Sequence, residues 1–597
     1  MFLLKTIFIT IILFLTVNLK SQDLQINEVV NKNYNGLQSF EGETEDWIEI
    51  YNSSTDTIEL HNYYLSDKKS NFNLWQFPYK KLAPDSFLVI FASGENITIP
   101  EFHTNFSLKA EGEIIYLSSN VLVDSVIIPS LKADYSFGRI SENNYNWKVL
   151  DVPSPALSNV NSNSLVFSAV SGFFDKYFYL KINSLRENTI IYYTLNGNDP
   201  NESSHVFNDS LLIEDRTYLE NSISMIKTTP DDTVYYHNWE EPEPNVKKIN
   251  SIKFVSYSGS EISSKIHTFN YLIGEQNSAL KTICITIDSL DLFSEVDGIY
   301  VPGNDYNANN INGSGNYYSN KRVKTHFSLF DENSKEILNE NAQARIMGNA
   351  TRATAQKSFK FYAKKEFGAK EFNAEVVKDS FLEYNSFVLR STQGSRLSCM
   401  ITDDLTMDLV EALDIDFTKT SFCRVFLNGT FWGVQSLRND LSDDFLQTKY
   451  NLEKEDINII DFNFETLLGN NNSFLNLIDF IKTNDLSYDQ NYDRVASELD
   501  INSYIDYQIA EMFLNNSDWP GNNSKLWKSN KENSRWRFLF YDLDGSFIEV
   551  DKNMLKFCTA ENSENWRNLP KFTFLLRNLL KNKHFENQFI KRYVTLL

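Results

Sequence analysis

The chain has 597 residues, a formal net charge of −23 at pH 7 and a hydrophobic fraction of 42% that includes 45 Phe, 30 Tyr and 9 Trp. A length of this order suggests roughly three to five domains, and so much apolar and aromatic surface excludes a disordered chain. The acidic balance argues against nucleic acid or anionic lipid as a partner; it leaves room for a small anionic substrate bound together with a metal.

The opening MFLLKTIFITIILFLTVNLKSQ carries Lys5, an apolar run over residues 6–17 and a small polar exit, Lys20-Ser21-Gln22. This is the pattern of a secretory signal peptide over residues 1–21. No later stretch reaches the ~18 apolar residues of a membrane span, so the mature chain is expected to be secreted, periplasmic or on the cell surface. Cys284, Cys399, Cys423 and Cys558 lack metal-ligand spacing. An exported chain permits one disulfide, with Cys399 and Cys423 the nearest pair, and free buried thiols fit equally well. The seven His are scattered and support no His-based metal site.

Residues 22–158 alternate in short β-type runs such as LQINEVV, DWIEIYNSS, SFLVIFASG and DSVIIP, separated by turns at regular spacing, which indicates an all-β sandwich. The set Ile26-Asn27-Glu28, Asp46 through Asn52, Leu65-Ser66-Asp67, Trp75-Gln76-Phe77, Phe106-Ser107-Leu108 and Ser136-Phe137-Gly138-Arg139 resembles the lamin-tail domain, an immunoglobulin-like sandwich. After a Pro153-Ser154-Pro155 corner, residues 160–275 read as a second β region. Its YTLNGNDP turn, residues 193–200, resembles the small sandwich module of chitobiase-type enzymes and is read as a spacer able to make surface or matrix contacts.

Residues 280–597 form the candidate catalytic region. A strand and turn around Gly298 and Gly303 lead to the strand RVKTHFSLFD. Gly348 and Asn349 then open a small-residue loop ahead of a strand in which Lys357, Phe359 and Phe361 share a face. A lysine beside free backbone N–H groups suits phosphate oxygens, and a lysine snorkelling at a strand start suits the pattern as well. Next come FVLR, a helix with Leu405, Leu409 and Leu413 at four-residue spacing, and two strands across Asn428-Gly429, a strong hairpin signal. A helix over about residues 442–450 closes that block. Residues 587–597 read as a helix with no stop signal, which suits a chain that continues.

The stretch LNNSDWPGNNSKLWKSNKENSRWRFLFYDLDGSF, residues 514–547, gathers isolated carboxylates and amides at element ends. A helix over residues 503–513, with Ile505, Ile509, Met512 and Phe513 on one face, delivers the chain to it. Asp518 lies in the first loop, and residues 524–528 and 535–541 read as a β-hairpin. If Ser529 faces Ser534, then Asn523 and Asp542 are diagonal neighbours roughly 7–8 Å apart. Two oxygen ligands so placed can share one Mg²⁺ or Mn²⁺, which needs only one or two protein oxygens besides phosphate and water. An Asp, an Asn five residues on and an Asp at a strand end follow the protein-kinase arrangement.

Taken in order, residues 298–303 (GIYVPG), Gly348-Asn349, Lys357-Ser358-Phe359-Lys360, Asn428-Gly429 with Trp432-Gly433, Leu437-Arg438, residues 516–523 and Tyr541-Asp542-Leu543-Asp544 resemble the CotH kinase family of atypical secreted kinases. The resemblance implies two N-terminal immunoglobulin-like β-sandwiches followed by an α+β atypical protein-kinase-like domain. It implies ATP with Mg²⁺ or Mn²⁺ as cofactors and Ser/Thr of an unidentified protein as acceptor. Asp518 is then similar to the catalytic Asp, Asp542 and Asn523 (with Asn522 in reserve) to the metal-binding pair, and Lys357 to the phosphate lysine, beside Gly348 and Asn349. Asp544 is a second metal ligand or a structural carboxylate. Many members have Glu after the Leu-Arg; Asn439 stands there in this chain, so a lysine–acid pair is either lost or made by Asp440. The alternative is a catalytically weak or inactive kinase-like scaffold on the cell surface, and a carbohydrate-binding or spore-coat-like scaffold rests on the second β module alone.

Overall fold

The structure is a computed structural model that describes residues 23–140, 146–159, 165–184, 186, 188–230, 239–275, 278–368, 370–377, 380, 383–392 and 399–596. The expected signal peptide lies outside the described residues. The chain forms two compact units, one comprising Met1–Val166, Ile182–Ile190 and Ser256–Lys265, the other Phe167–Lys181, Ile191–Val255 and Ile266–Leu597. As expected, β modules come first and an α+β region follows.

In the first unit, strands β1 (Leu24–Val30), β2 (Trp47–Asn52), β3 (Tyr64–Ser66), β4 (Trp75–Gln76), β5 (Phe87–Phe91), β6 (Gly112–Ser118), β7 (Leu122–Pro129), β8 (Ser136–Arg139) and β9 (Trp147–Leu150) make two sheets, ordered β9-β8-β1-β2-β5 and β4-β3-β6-β7. Alternation drives the packing: Leu24, Ile26, Ile48, Ile50, Ile115, Leu117, Val126 and Ile128 meet in one core. Strands β1 and β2 are buried on both faces, and the polar face carries Glu28 and Glu49, opposite each other in register.

In the second unit, residues 250–254 of β10 (Asn250–Ser258) pair antiparallel with β11 (His267–Ile273). Its main feature is a closed seven-stranded barrel of β12 (Lys281–Ile287), β13 (Val323–Phe330), β14 (Glu336–Met347), β15 (Ser358–Tyr362), β16 (Ser386–Arg390), β17 (Thr420–Leu427) and β18 (Thr430–Asn439), in the order β12-β13-β14-β15-β16-β18-β17. The two-residue period sends Phe359, Phe361, Phe387, Leu389 and Leu437 inward. Lys360, Val388 and Arg438 therefore line up on the outer face, paired in that order across β15, β16 and β18. The β17–β18 hairpin turns at Asn428 (φ +45°) and Gly429 (φ +80°), as expected.

Helix α1 (Thr402–Leu409) reverses its expected orientation. Leu405 and Leu409 are 45% and 55% exposed, whereas Asp403 and Asp404 are buried. Ion pairing with barrel arginines outweighs burial of two leucines here. Helix α2 (Asp443–Tyr450) follows, then a four-stranded sheet of β19 (Ile457–Asp461), β20 (Thr466–Leu468), β21 (Lys525–Ser529) and β22 (Arg537–Leu539), ordered β20-β19-β21-β22. Helices α3 (Asn472–Thr483), α4 (Asp489–Glu498), α5 (Ile501–Phe513), α6 (Pro570–Leu579) and α7 (Lys583–Leu596) surround it. Ile505, Ile509, Trp519, Trp536, Phe540 and Leu576 share their core. Phe513 is 53% exposed and leaves the face expected for it.

All four cysteines are free thiols; Cys399 is exposed and Cys423 buried. Among the described residues, no helix is long and apolar enough to cross a membrane.

Candidate active site

Helix α5 starts on Asp500, whose side chain accepts the Ser503 N–H, and runs to Phe513; Asn515, just past its end, is in the left-handed region at φ +52°. The loop that follows is held from below. Asn516 Nδ2 donates to Glu511 Oε2 at 2.9 Å, and Asn516 Oδ1 accepts the Asp518 N–H at 3.2 Å. Burial pushes the Glu511 carboxyl up to about 8, against hydrogen bonds from Asn516 and Tyr507. The Ser517 N–H donates to Gly545 O at 3.0 Å, which ties the Asp518 loop to the Asp-Leu-Asp-Gly segment.

The hairpin is present with a register one residue from that expected: Trp527 pairs with Arg537 and Lys525 with Leu539. Ser534 is consumed by the turn, where its Oγ accepts the Ser529 N–H at 3.0 Å, so it cannot face Ser529 in the ladder. Asn523 and Asp542 lie beyond the paired residues, both left-handed (φ +55° and +63°). Asn523 Nδ2 donates to the Asp542 backbone O at 3.2 Å. The two residues are thus brought together by their backbone turns instead of by a shared sheet face.

Arg390, the last residue of β16, collects the carboxylates. Its Nη2 contacts Asp542 Oδ1 at 2.5 Å and Asp544 Oδ2 at 3.1 Å, while its Nε lies 3.3 Å from Asp403 Oδ2. Asp403 also takes Arg438 Nη1 at 2.7 Å and the Leu543 N–H at 2.7 Å. Burial alone would raise Asp403, but Arg390 and Arg438 hold it below the ordinary carboxylate range. Burial and then the neighbouring Asp542 push Asp544 up to about 7, against the pull of Arg390. Asp518 is about one-third exposed; burial raises it, Arg567 at 3.4 Å pulls it down and Asp542 raises it further. Asp518, Asp542 and Asp544 therefore act on one another electrostatically.

Lys357 is not the lysine that joins this group. It shares the inward face of β15 with Phe359 and Phe361, is fully buried, and donates its three N–H bonds to the carbonyls of Thr228, Arg352 and Thr354 at 2.7–2.8 Å. An ammonium has three donors, so none remains for a phosphate. Gly348 (φ +107°) and Asn349 spend their carbonyls on Arg352 Nε and the Tyr318 hydroxyl. On the outward face Lys360 meets Asp440 at 2.5 Å, both mostly buried. Lys525, desolvated over the Tyr541 ring at 4.5 Å, lies in the field of Asp440, Asp542 and Lys360. Sequence reasoning gave no site role to Arg390, Asp403, Arg438, Lys525 and Arg567. The signal for the first three was the Asp403-Asp404 pair lying between the two barrel strand ends FVLR and Leu437-Arg438.

The donor set suits a hard divalent cation. Asp542 and Asp544 already converge on a single cationic nitrogen, and Asn523 lies beside them. Among the described residues no group of three or more His, Cys, Asp or Glu is disposed to hold a metal, and a site of one or two carboxylates completed by phosphate oxygens and water is what Mg²⁺ takes.

A barrel-borne lysine–aspartate pair, an Asp loop closing a helix and an Asp-Leu-Asp-Gly segment fastened to that loop define a kinase-like domain. Residues 344–597 match the model of the CotH kinase protein family, residues 19–129 the Lamin Tail Domain and residues 180–271 the Fn3 associated domain. The region 344–597 is thus similar to the CotH kinase family. No curated protein matched the chain.

Proposed function

We propose that this protein transfers the γ-phosphate of ATP to Ser or Thr hydroxyls of exported or surface proteins, with Mg²⁺ or Mn²⁺. The observation that carries the reading is the convergence of a part-exposed Asp518, the Asn523 amide and the carboxylates of Asp542 and Asp544, all from loops fastened to one another. Asp518 orients the acceptor hydroxyl and takes its proton as the new O–P bond forms. The bond from Pγ to the bridging oxygen breaks, and its electron pair leaves on ADP. Asn523, Asp542 and Asp544 would hold the metal, which neutralises phosphate charge. Lys360, paired with Asp440, replaces Lys357 as the lysine facing the nucleotide.

The test is phosphosite mass spectrometry on a surface-protein extract, comparing the full chain with Asp518→Ala. Phosphoserine or phosphothreonine should appear with the wild type alone, and Mn²⁺-ATP should raise the melting temperature of the wild type but not of Asp542→Ala. The neutralisation of Asp542 and Asp544 by Arg390 favours a second reading, a weak or inactive kinase-like surface scaffold. Failure of the wild type in both assays would establish it.

A further inference from the structure

Two of the arginines at the candidate site, Arg390 and Arg567, differ in their circumstances. Arg390 is saturated by three carboxylates. Arg567, among the described residues, makes one ion pair, to Asp518 Oδ1 at 3.4 Å, with both side chains about one-third exposed. A long, part-solvated pair of this kind is worth little and is easily exchanged. Its Nε is buried and has no hydrogen-bond partner. A guanidinium carries five N–H donors in a rigid fork; this one lies over the Trp566 ring at 4.9 Å, which takes its face and leaves most of its donors unused.

The backbone that carries it is fixed. The Arg567 N–H donates to Asn565 Oδ1, Asn568 Nδ2 holds Phe557 O, and Ser563 Oγ donates to Asn568 Oδ1. The carbonyls of Trp566 and Arg567 press against the Asp518 loop at Gly521, where a Cβ would lie 2.5–2.6 Å from them. Only glycine allows that approach. The chain has thus set an under-used cation against the residue that faces the acceptor.

We propose, on the kinase reading above, that Arg567 binds the γ-phosphate of the nucleotide, leaving Asp518 for the phosphoryl oxygens when ATP enters. Asp518 is then free to receive the acceptor proton, and the guanidinium stays on the oxygens of the moving phosphoryl while ADP departs.

Isothermal titration of the full chain in Mn²⁺ compares ATP with ADP. A charge-assisted contact made only to the third phosphate gives wild type a preference for ATP of about tenfold or more. Arg567→Ala should bring that ratio close to one with ADP affinity unchanged, and Arg567→Lys should keep part of it. An unchanged ratio in Arg567→Ala, or an equal loss of ATP and ADP affinity, overturns the inference while the kinase reading stands. If wild type binds neither nucleotide, both fall.

Discussion

Between about pH 5 and about pH 8.5 the amino-terminal sandwich is expected to lose stability, because two of its buried carboxyls keep their protons after the unfolded chain has lost them. Glu28 and Glu49 lie opposite each other on β1 and β2 and are fully buried. Burial pushes Glu28 from 4.5 up to about 7, offset by hydrogen bonds from Ser136 and Ser154; it pushes Glu49 from 4.5 up to about 8, offset by Asn27 and Ala156 and reinforced by Glu28. Each tenfold change in proton affinity is about 1.4 kcal/mol, so rises from 4.5 to about 7 and to about 8 together bear on the order of 8 kcal/mol. The sign follows from the direction. A carboxyl raised on folding contributes fully below 4.5, and that contribution disappears as pH rises through about 7 and about 8. Urea titration of the full chain at several pH values, with pulsed hydrogen exchange at one labelling pH reading peptides from β1 and β2, measures this locally. The midpoint should fall steadily with pH and then level. Glu49→Gln should be weaker at acid pH, since an amide nitrogen cannot accept the Ala156 N–H, yet its midpoint should vary less with pH. A wild-type midpoint that is flat or rising over this range, or an unaltered slope in Glu49→Gln, would mean that these carboxyls do not hold their protons in the fold.

Asp403→Ala leaves Arg390 and Arg438 without their shared partner and should destabilise the second unit by about 3–5 kcal/mol, read by calorimetry. Lys360→Ala should cut phosphotransfer about 10²-fold or more, while Lys360→Arg retains part of it; equal activity in both would remove Lys360 from the site. Leu405→Ser should change stability by no more than about 0.5 kcal/mol in denaturant titration, because the side chain faces solvent.

The Asp518 loop, Asn523 and Asp542 were legible because their spacing is local: a helix end, a loop and a strand end put them close whatever the rest of the chain does. Lys357 against Lys360 was decidable in principle. Lys357 has the same parity as Phe359 and Phe361, and the face with two phenylalanines goes to the core, so the lysine of opposite parity is the one left outside. Helix α1 misled for a different reason. Leucines at four-residue spacing signal a buried face only when nothing stronger competes, and the competitors, Arg390 and Arg438, lie on strands that cannot be placed against the helix from spacing alone. The parallel pairing that closes the barrel joins Lys281 to Cys423. No local pattern encodes a contact across so long a loop.

The Asp-Leu-Asp-Gly segment is gripped at every step: Asp542 and Asp544 by Arg390, the Leu543 N–H by Asp403, the Gly545 carbonyl by Ser517. Turning this segment over would break contacts to the barrel on one side and to the Asp518 loop on the other. Compounds that require an inverted form of this segment would have to break all of these contacts first. On the kinase reading, on–off control is expected to act through what reaches Asp518 and when.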